Sequence, residues 1–314
     1  MVLTIGTQII KHLTAFFKGL FDDIPEANDD YTWKPSDKLS DQNSYQLFTG
    51  PVHNLGGGGP DVDDAIQWMI HQVRGGSNSD KKVNVLIIRS RGDDTYNQLI
   101  YRMKGVKYVE TLIIKNRQEA NRIDIFDKVR NAGVIFFAGG DQCEYIRHWK
   151  NTKLEVAVKS VYDKGGAIGG TSAGAMIHSE FVYDSCACED SIETPQALDD
   201  PYRNITFTYN FFQWKHLKNT VIDTHFDERK RMGRIMVFIA RQIQDGVSNC
   251  ALGIAISEET SLVIDKYGIA KVIGKGAVYF VFGDHLPEVC QPGQPLTFYD
   301  YKIWRIPRGD TFDL

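Results

Sequence analysis

Gly170-Thr171-Ser172-Ala173-Gly174 is the stretch whose residue types and order point most directly to chemistry. It follows a strand-like run and precedes a helix-like one, the context in which Gly-x-Ser-x-Gly forms a nucleophile elbow. A sharp turn there lifts the serine hydroxyl into a cleft, and the small flanking residues let neighbouring backbone come close. The Ala173 N–H then faces a developing oxyanion at the helix N-terminus. A glycine-rich turn used only for close packing is the plain alternative.

A serine nucleophile needs a base, and eight histidines compete for the role. His178 lies farther along the same helix, about 9 Å from the serine by the helical rise, and is turned aside. His12, His53, His71, His148 and His216 sit in polar or amphipathic settings where surface or core roles are the default. His225 differs, because it closes the apolar run 220–225, and the C-terminal ends of parallel strands are where α/β sheets place functional groups.

Arg229, Arg231 and Arg234 follow at once. Singly, each suits a solvated face balanced by Asp227 and Glu228. Grouped beside His225 they suit a substrate carboxylate, since guanidinium forks bind carboxylates bidentately. The carboxylate that orients the histidine stays open among Glu189, Asp190, Glu193 and Glu258. Gly139-Gly140-Asp141-Gln142 follows another strand-like run, where backbone N–H groups supply a second oxyanion donor and Gln142 a substrate contact; a plain turn is equally natural. Gly56-Gly57-Gly58-Gly59-Pro60 reads as a turn and helix start. Cys186-x-Cys188 lacks a second Cys or His pair, so no metal site is expected.

These residues must be positioned by elements, and short β-branched runs at 83–88, 108–114, 133–137 and 167–169 alternate with helix-like spacing at 95–103, 123–131 and 154–164. Such alternation predicts a mostly parallel sheet with helices on both faces. After a helix-like stretch at 231–244, strand-like runs at 251–256, 260–264, 270–273 and 277–282 predict antiparallel strands added to that sheet. Residues 22–44 are polar and acidic, so the chain divides into an N-terminal helix and extended arm, 1–44, and one α/β domain, 45–314.

Composition narrows the partners. With 36 Lys+Arg against 40 Asp+Glu the formal charge is −4, so the basic field needed for nonspecific nucleic-acid binding is missing. No run of about 18 apolar residues occurs, which argues against a membrane span. The first 20 residues carry an apolar stripe broken by Lys11, His12 and Lys18, and read as a packing helix rather than a signal peptide. Five scattered cysteines in a chain long enough to bury a core suggest a reducing compartment and a cytoplasmic protein.

Four blocks in order resemble the cyanophycinase and peptidase E-like serine peptidases: 136–142, 169–175, Asp223-Thr224-His225-Phe226 with the arginines after it, and 253–260. The resemblance runs over about residues 83–273. It implies a three-layer α-β-α fold with a flavodoxin-like central sheet, as in class I glutamine amidotransferases, with serine at the elbow. It also implies hydrolysis of peptide bonds next to aspartate, without a cofactor, in cyanophycin (poly-aspartate bearing arginine on its side chains) or in β-aspartyl peptides, and a homodimer. Ser172 would be the nucleophile, His225 the base, Glu258 or else Glu189 or Asp190 the third member, and Gly140 and Ala173 the oxyanion donors. Gln142, Asp223, Thr224, Arg229, Arg231 and Arg234 would contact substrate.

The chain departs from the family at Thr224, where glutamine is usual, at Ser257, where aspartate is usual, and in a long aromatic segment, 191–219. Thr224 motivates an isoaspartyl or α-aspartyl dipeptidase as an alternative. A non-catalytic binding protein on the same fold is another, and an esterase using Ser172, Glu189 or Asp190, and His285 a third.

Overall fold

The computed structural model describes residues 48–187 and 190–314. The expected helix and arm at 1–44 lie outside the described residues. The first half alternates: β1 (Val52–Gly56), α1 (Asp63–Arg74), β2 (Val83–Arg89), α2 (Tyr96–Tyr101), β3 (Val106–Ile113), α3 (Arg117–Ala120), α4 (Ile123–Arg130), β4 (Val134–Phe137), α5 (Gln142–Trp149), α6 (Lys153–Asp163) and β5 (Ala167–Thr171). The second half is richer in strands: α7 (Ala173–Met176), β6 (Val182–Tyr183), α8 (Thr194–Asp199), β7 (Phe207–Thr208), β8 (Thr220–Thr224), α9 (Met232–Gln244), β9 (Ala251–Ile256), β10 (Thr260–Ile264), β11 (Ile269–Gly274), β12 (Ala277–Gly283), β13 (Lys302–Pro307) and β14 (Thr311–Asp313).

An eight-stranded sheet carries the order β14-β11-β10-β1-β5-β4-β2-β3. From β1 to β3 every neighbour is parallel, while β10, β11 and β14 extend the other edge antiparallel. The period of two along each strand explains why both faces need helices. Val85 and Ile87 of β2 with Phe136 of β4 enter one core with Ile66, Met69 and Ile70 of α1. Leu86, Ile88, Ile135 and Phe137 point to the opposite core with Val129, Leu154 and Val158.

One expectation is corrected. The antiparallel strands of the last third do not all join the central sheet, because β9, β12 and β13 form a separate four-stranded sheet with β8, in the order β13-β12-β9-β8. Helix α9 packs on this second sheet, and Gly253 of β9 makes room for Ile235 and Ile239. β8, the strand that leads into His225, therefore belongs to the second sheet and runs parallel to β9.

The aromatic segment 191–219 is absorbed into packing. Phe211, Phe212 and Trp214 are buried, and Trp214 and Phe212 stack beside His178 and Phe137. His53, on β1, meets His178 edge to face at 5.7 Å within the same aromatic cluster. His53 Nδ1 lies 3.2 Å from the Ile168 carbonyl. His178 makes no well-aligned hydrogen bond, with the Gly169 carbonyl as a weak partner. Burial holds the His53 pKa down to about 3 and that of His178 well below its ordinary value.

Both rings fold in the neutral form, whereas the unfolded chain protonates them near pH 6.5. Their contribution is present above about pH 6.5 and is lost as pH falls toward the folded values. Each histidine should steepen the loss by about 1.4 kcal/mol per pH unit below pH 6. Urea unfolding at pH 7, 6 and 5 reads this slope, and His178→Leu should flatten it by about that amount; an unaltered slope contradicts the assignment.

Candidate functional site

Ser172 sits between β5 and α7 at φ 53 and ψ −124, a strained conformation for a side-chain-bearing residue. The close turn depends on Gly174, where an added Cβ would stand 2.2 Å from the Phe137 carbonyl oxygen. Ser172 Oγ lies 2.8 Å from His225 Nε2, and His225 Nδ1 lies 2.5 Å from Glu258 Oε1. With Nδ1 donating to the carboxylate, Nε2 is left as the acceptor for the serine hydroxyl.

The three groups arrive from different elements: Ser172 from the end of β5, His225 from the end of β8, and Glu258 from the turn between β9 and β10. The glycine run after β1 ties them together. The Gly56 carbonyl accepts from the Ser172 N–H at 3.0 Å, the Gly57 carbonyl from the His225 N–H at 2.7 Å, and the Gly58 carbonyl from the Glu259 N–H at 3.0 Å. Gly58 is at φ +98, and a Cβ there would lie 2.2 Å from His225 Cε1. By sequence this run reads as a turn before a helix; its four consecutive glycines are the available sign that something packs closely against the backbone.

His225 has its pKa lowered by burial first, with Arg229 and Arg231 adding to the effect and the Glu258 hydrogen bond opposing it. The imidazole is therefore neutral at neutral pH. Asp190, another carboxylate considered for His225, is exposed, and Glu189 lies outside the described residues. His285 pairs with Asp284 at 3.1 Å and packs on Phe298, while Ser172 bonds His225.

Ser172 and His225 open into a cavity of about 610 Å³. Gly140, Gln142, Ala173, Thr224, Arg229, Arg231 and Arg234 line it, whereas Asp223 is not among the lining residues. The first N–H groups of a helix have no intrahelical acceptor, so Ala173, opening α7, has an N–H to offer. Arg147 adds a fourth guanidinium, and Asp141 lines the cavity too. Arg147 lies in the last turn of α5, beyond the 139–142 motif, and only the fold turns it into the cavity.

Asp223 and Arg234 are occupied by each other. Arg234 Nε and Nη2 donate to the two Asp223 oxygens at 2.8 and 2.5 Å, and Nη1 donates to Ser191 Oγ and the Ile192 carbonyl. Both side chains are fully buried. Burial pushes the Asp223 carboxyl up, but Arg234 and Arg231 together hold it below its ordinary value. Arg231 is different: Nη1 donates to the Thr224 carbonyl, whereas its buried Nε and Nη2 have no partner among the described residues. Thr224 Oγ1 is similarly unpartnered. Arg231 keeps its charge at neutral pH even though burial lowers its pKa to about 10. The cavity is thus lined by positive charge, inside a chain of negative net charge.

Two of the five scattered cysteines, Cys143 and Cys186, form a disulfide at the cavity wall, because α5 and the loop after β6 bring them together in space. Cys250 and Cys290 are free. Among the described residues no cluster of His, Cys, Asp and Glu is arranged to hold a metal ion, and no helix is long and apolar enough to cross a membrane.

Comparison with known proteins agrees with the fold. The cyanophycinase of Trichormus variabilis is 27% identical over 221 residues, covering 68% of this chain and 68% of that protein. The cyanophycinase of Synechococcus elongatus is 25% identical over 244 residues, covering 75% and 70%. The crystal structure of a peptidase from an acI-B1 Actinobacterium superposes with a TM-score of 0.57 at 20% identity, covering 86% of this chain and 99% of that one, which shows a shared fold. Residues 87–272, more than half of the chain, match the model for peptidase family S51, and the chain belongs to that family.

Proposed function

We propose that this chain is a serine-type peptidase acting on aspartate-rich peptides, with cyanophycin or β-aspartyl peptides as substrates. The observation that carries the reading is the Ser172–His225–Glu258 chain of hydrogen bonds at a strained elbow facing a positive cavity. Ser172 Oγ attacks the amide carbonyl carbon as His225 Nε2 takes its proton. The tetrahedral oxyanion is met by the N–H groups of Ala173 and Gly140. When the C–N bond breaks, Nε2 returns the proton to the leaving amine. Water then hydrolyses the acyl-enzyme with His225 again as base.

The guanidiniums of Arg231 and Arg229 supply the charge for substrate carboxylates. Thr224, which stands where the family usually has glutamine, supports a second reading within this class, an α-aspartyl or isoaspartyl dipeptidase. A panel of cyanophycin, β-aspartyl and α-aspartyl dipeptides separates the two. Cleavage of at least one aspartyl substrate is expected, and failure to cleave any of them by folded protein overturns the proposal.

Two further results are expected. Because His225 must be neutral to accept a proton and its pKa is depressed, kcat/KM should hold as pH falls to 6.5 and decline only below it. Glu258→Gln should cost about 10⁴-fold in kcat by releasing the imidazole tautomer, and should move the acid limb lower. A pH–rate profile checks both; an acid limb above pH 6.5 contradicts the assignment. Gly58→Ala would drive a methyl into the imidazole and should lower kcat by about 100-fold with little change in KM, read by steady-state kinetics.

A further inference from the structure

One wall of the cavity has no part in the bond-breaking steps. Gln142 and Cys143 open α5, where Asp141 Oδ1 accepts from the Cys143 N–H at 2.8 Å. The disulfide joins this turn to Cys186, 43 residues along the chain, in the loop after β6. Both sulfur-bearing residues line the cavity, beside Gln142 on one side and Ser185 and Ala187 on the other. Ser185 is held at φ 55, which a residue with a side chain adopts only when its surroundings enforce it. Two neighbours enforce it: the Asp184 carboxylate, which accepts from the Cys186 N–H at 3.0 Å and from Thr206 and Thr208, and the disulfide.

We propose that the Cys143–Cys186 disulfide is a positioning element for substrate, and that opening it with a dithiol weakens substrate binding while leaving the Ser172–His225 pair in place. Closed, the bond holds Gln142 and residues 185–187 as one rigid wall. Open, the loop must be ordered anew each time substrate binds, and that cost is charged to affinity. The Ser172 and His225 backbones are held by Gly56 and Gly57, which do not touch the wall's cysteines in the bonding scheme. The inference rests on the reading of the cavity as a peptide site.

The chemistry balances as ordinary exchange. A reagent thiolate attacks Cys186 Sγ, which is half-buried and faces the cavity, and the protein S–S bond breaks. Cys143 departs as thiolate at the start of α5 and takes a proton from solvent. Cavity guanidiniums favour that thiolate, against the opposing charge of Asp141. The reagent's second thiol then displaces Cys186, leaving two protein thiols and an oxidised cyclic reagent.

The test compares the oxidised protein, the protein treated with dithiothreitol, and Cys143→Ser/Cys186→Ser, with the bond state mapped by alkylation and mass spectrometry. For an aspartyl dipeptide, reduction should raise KM about tenfold and leave kcat within about twofold. Reoxidation should restore KM, and the double variant should show the raised KM with or without dithiothreitol. Hydrogen exchange should quicken at 141–147 and 184–187 on reduction, a readout that needs no turnover. If no aspartyl peptide is cleaved, the peptidase reading fails and the exchange result alone decides the wall. Unchanged KM and exchange with the bond shown open, alkylation of both cysteines before any reductant, or a fall in kcat at constant KM would each overturn the inference.

Discussion

Replacing Ser172 by alanine is expected to lower kcat/KM for an aspartyl peptide by about 10⁴-fold or more. Alanine keeps the Cβ, so the turn at φ 53 and the N–H bond to Gly56 are retained, and only the atom 2.8 Å from His225 Nε2 is removed. Thermal stability should match the parent protein, which separates loss of chemistry from loss of fold. His225→Ala should cost about as much, and the double variant should be no worse than either, because nucleophile and base act as one unit. What survives is the residual rate from oxyanion donors and substrate positioning. Steady-state assays with active-site titration check the series. A Ser172→Ala protein within about tenfold of parent activity would place the nucleophile elsewhere.

The second large effect is on stability. Asp223→Ala should destabilise the fold by about 3–5 kcal/mol, because it strands the buried guanidiniums of Arg234 and Arg231 without their counter-charge. Asp223→Asn keeps the shape but not the charge and should fall in the same direction. The same pair predicts acid sensitivity. The Asp223 carboxyl is held below its ordinary value, so its contribution is full above about pH 4 and is lost as pH falls through the folded pKa. Urea midpoints of parent and variant at pH 7 read the first effect, and midpoints of both taken stepwise from pH 4 to about pH 2 read the second. A loss under about 1 kcal/mol in Asp223→Ala would mean that Arg231 and Arg234 find other compensation.

The alternation of β2, β4 and β5 with helices was legible because period-two runs such as Val134-Ile135-Phe136-Phe137 are apolar on both faces, which only a covered parallel sheet tolerates. Ser172 and His225 were legible as a pair because each ends a strand run at a turn. Glu258 could not be chosen over Glu189 or Asp190 from sequence, since the choice is made in space, where the turn after β9 lies beside the end of β8. The second sheet was not legible because pairing partners of antiparallel strands are set by packing, here of α9 on β9, rather than by local pattern.

The glycine run and the disulfide were hidden for a related reason. A Gly carbonyl that holds another residue's N–H has no sequence signature beyond the glycine itself, and Cys143 and Cys186 are brought together only by the fold. Arg234 reads as a ligand contact because it falls in the arginine group near His225, and Asp223 only because the resemblance implies it; in the structure their charges satisfy one another.

The most direct test is to treat the folded protein with a fluorophosphonate, map the adduct by mass spectrometry, and assay aspartyl-peptide hydrolysis on the same sample. The account predicts a single adduct on Ser172, loss of hydrolysis in proportion to labelling, and no labelling in His225→Ala. An adduct on another residue, or full hydrolysis with Ser172 fully modified, would contradict it.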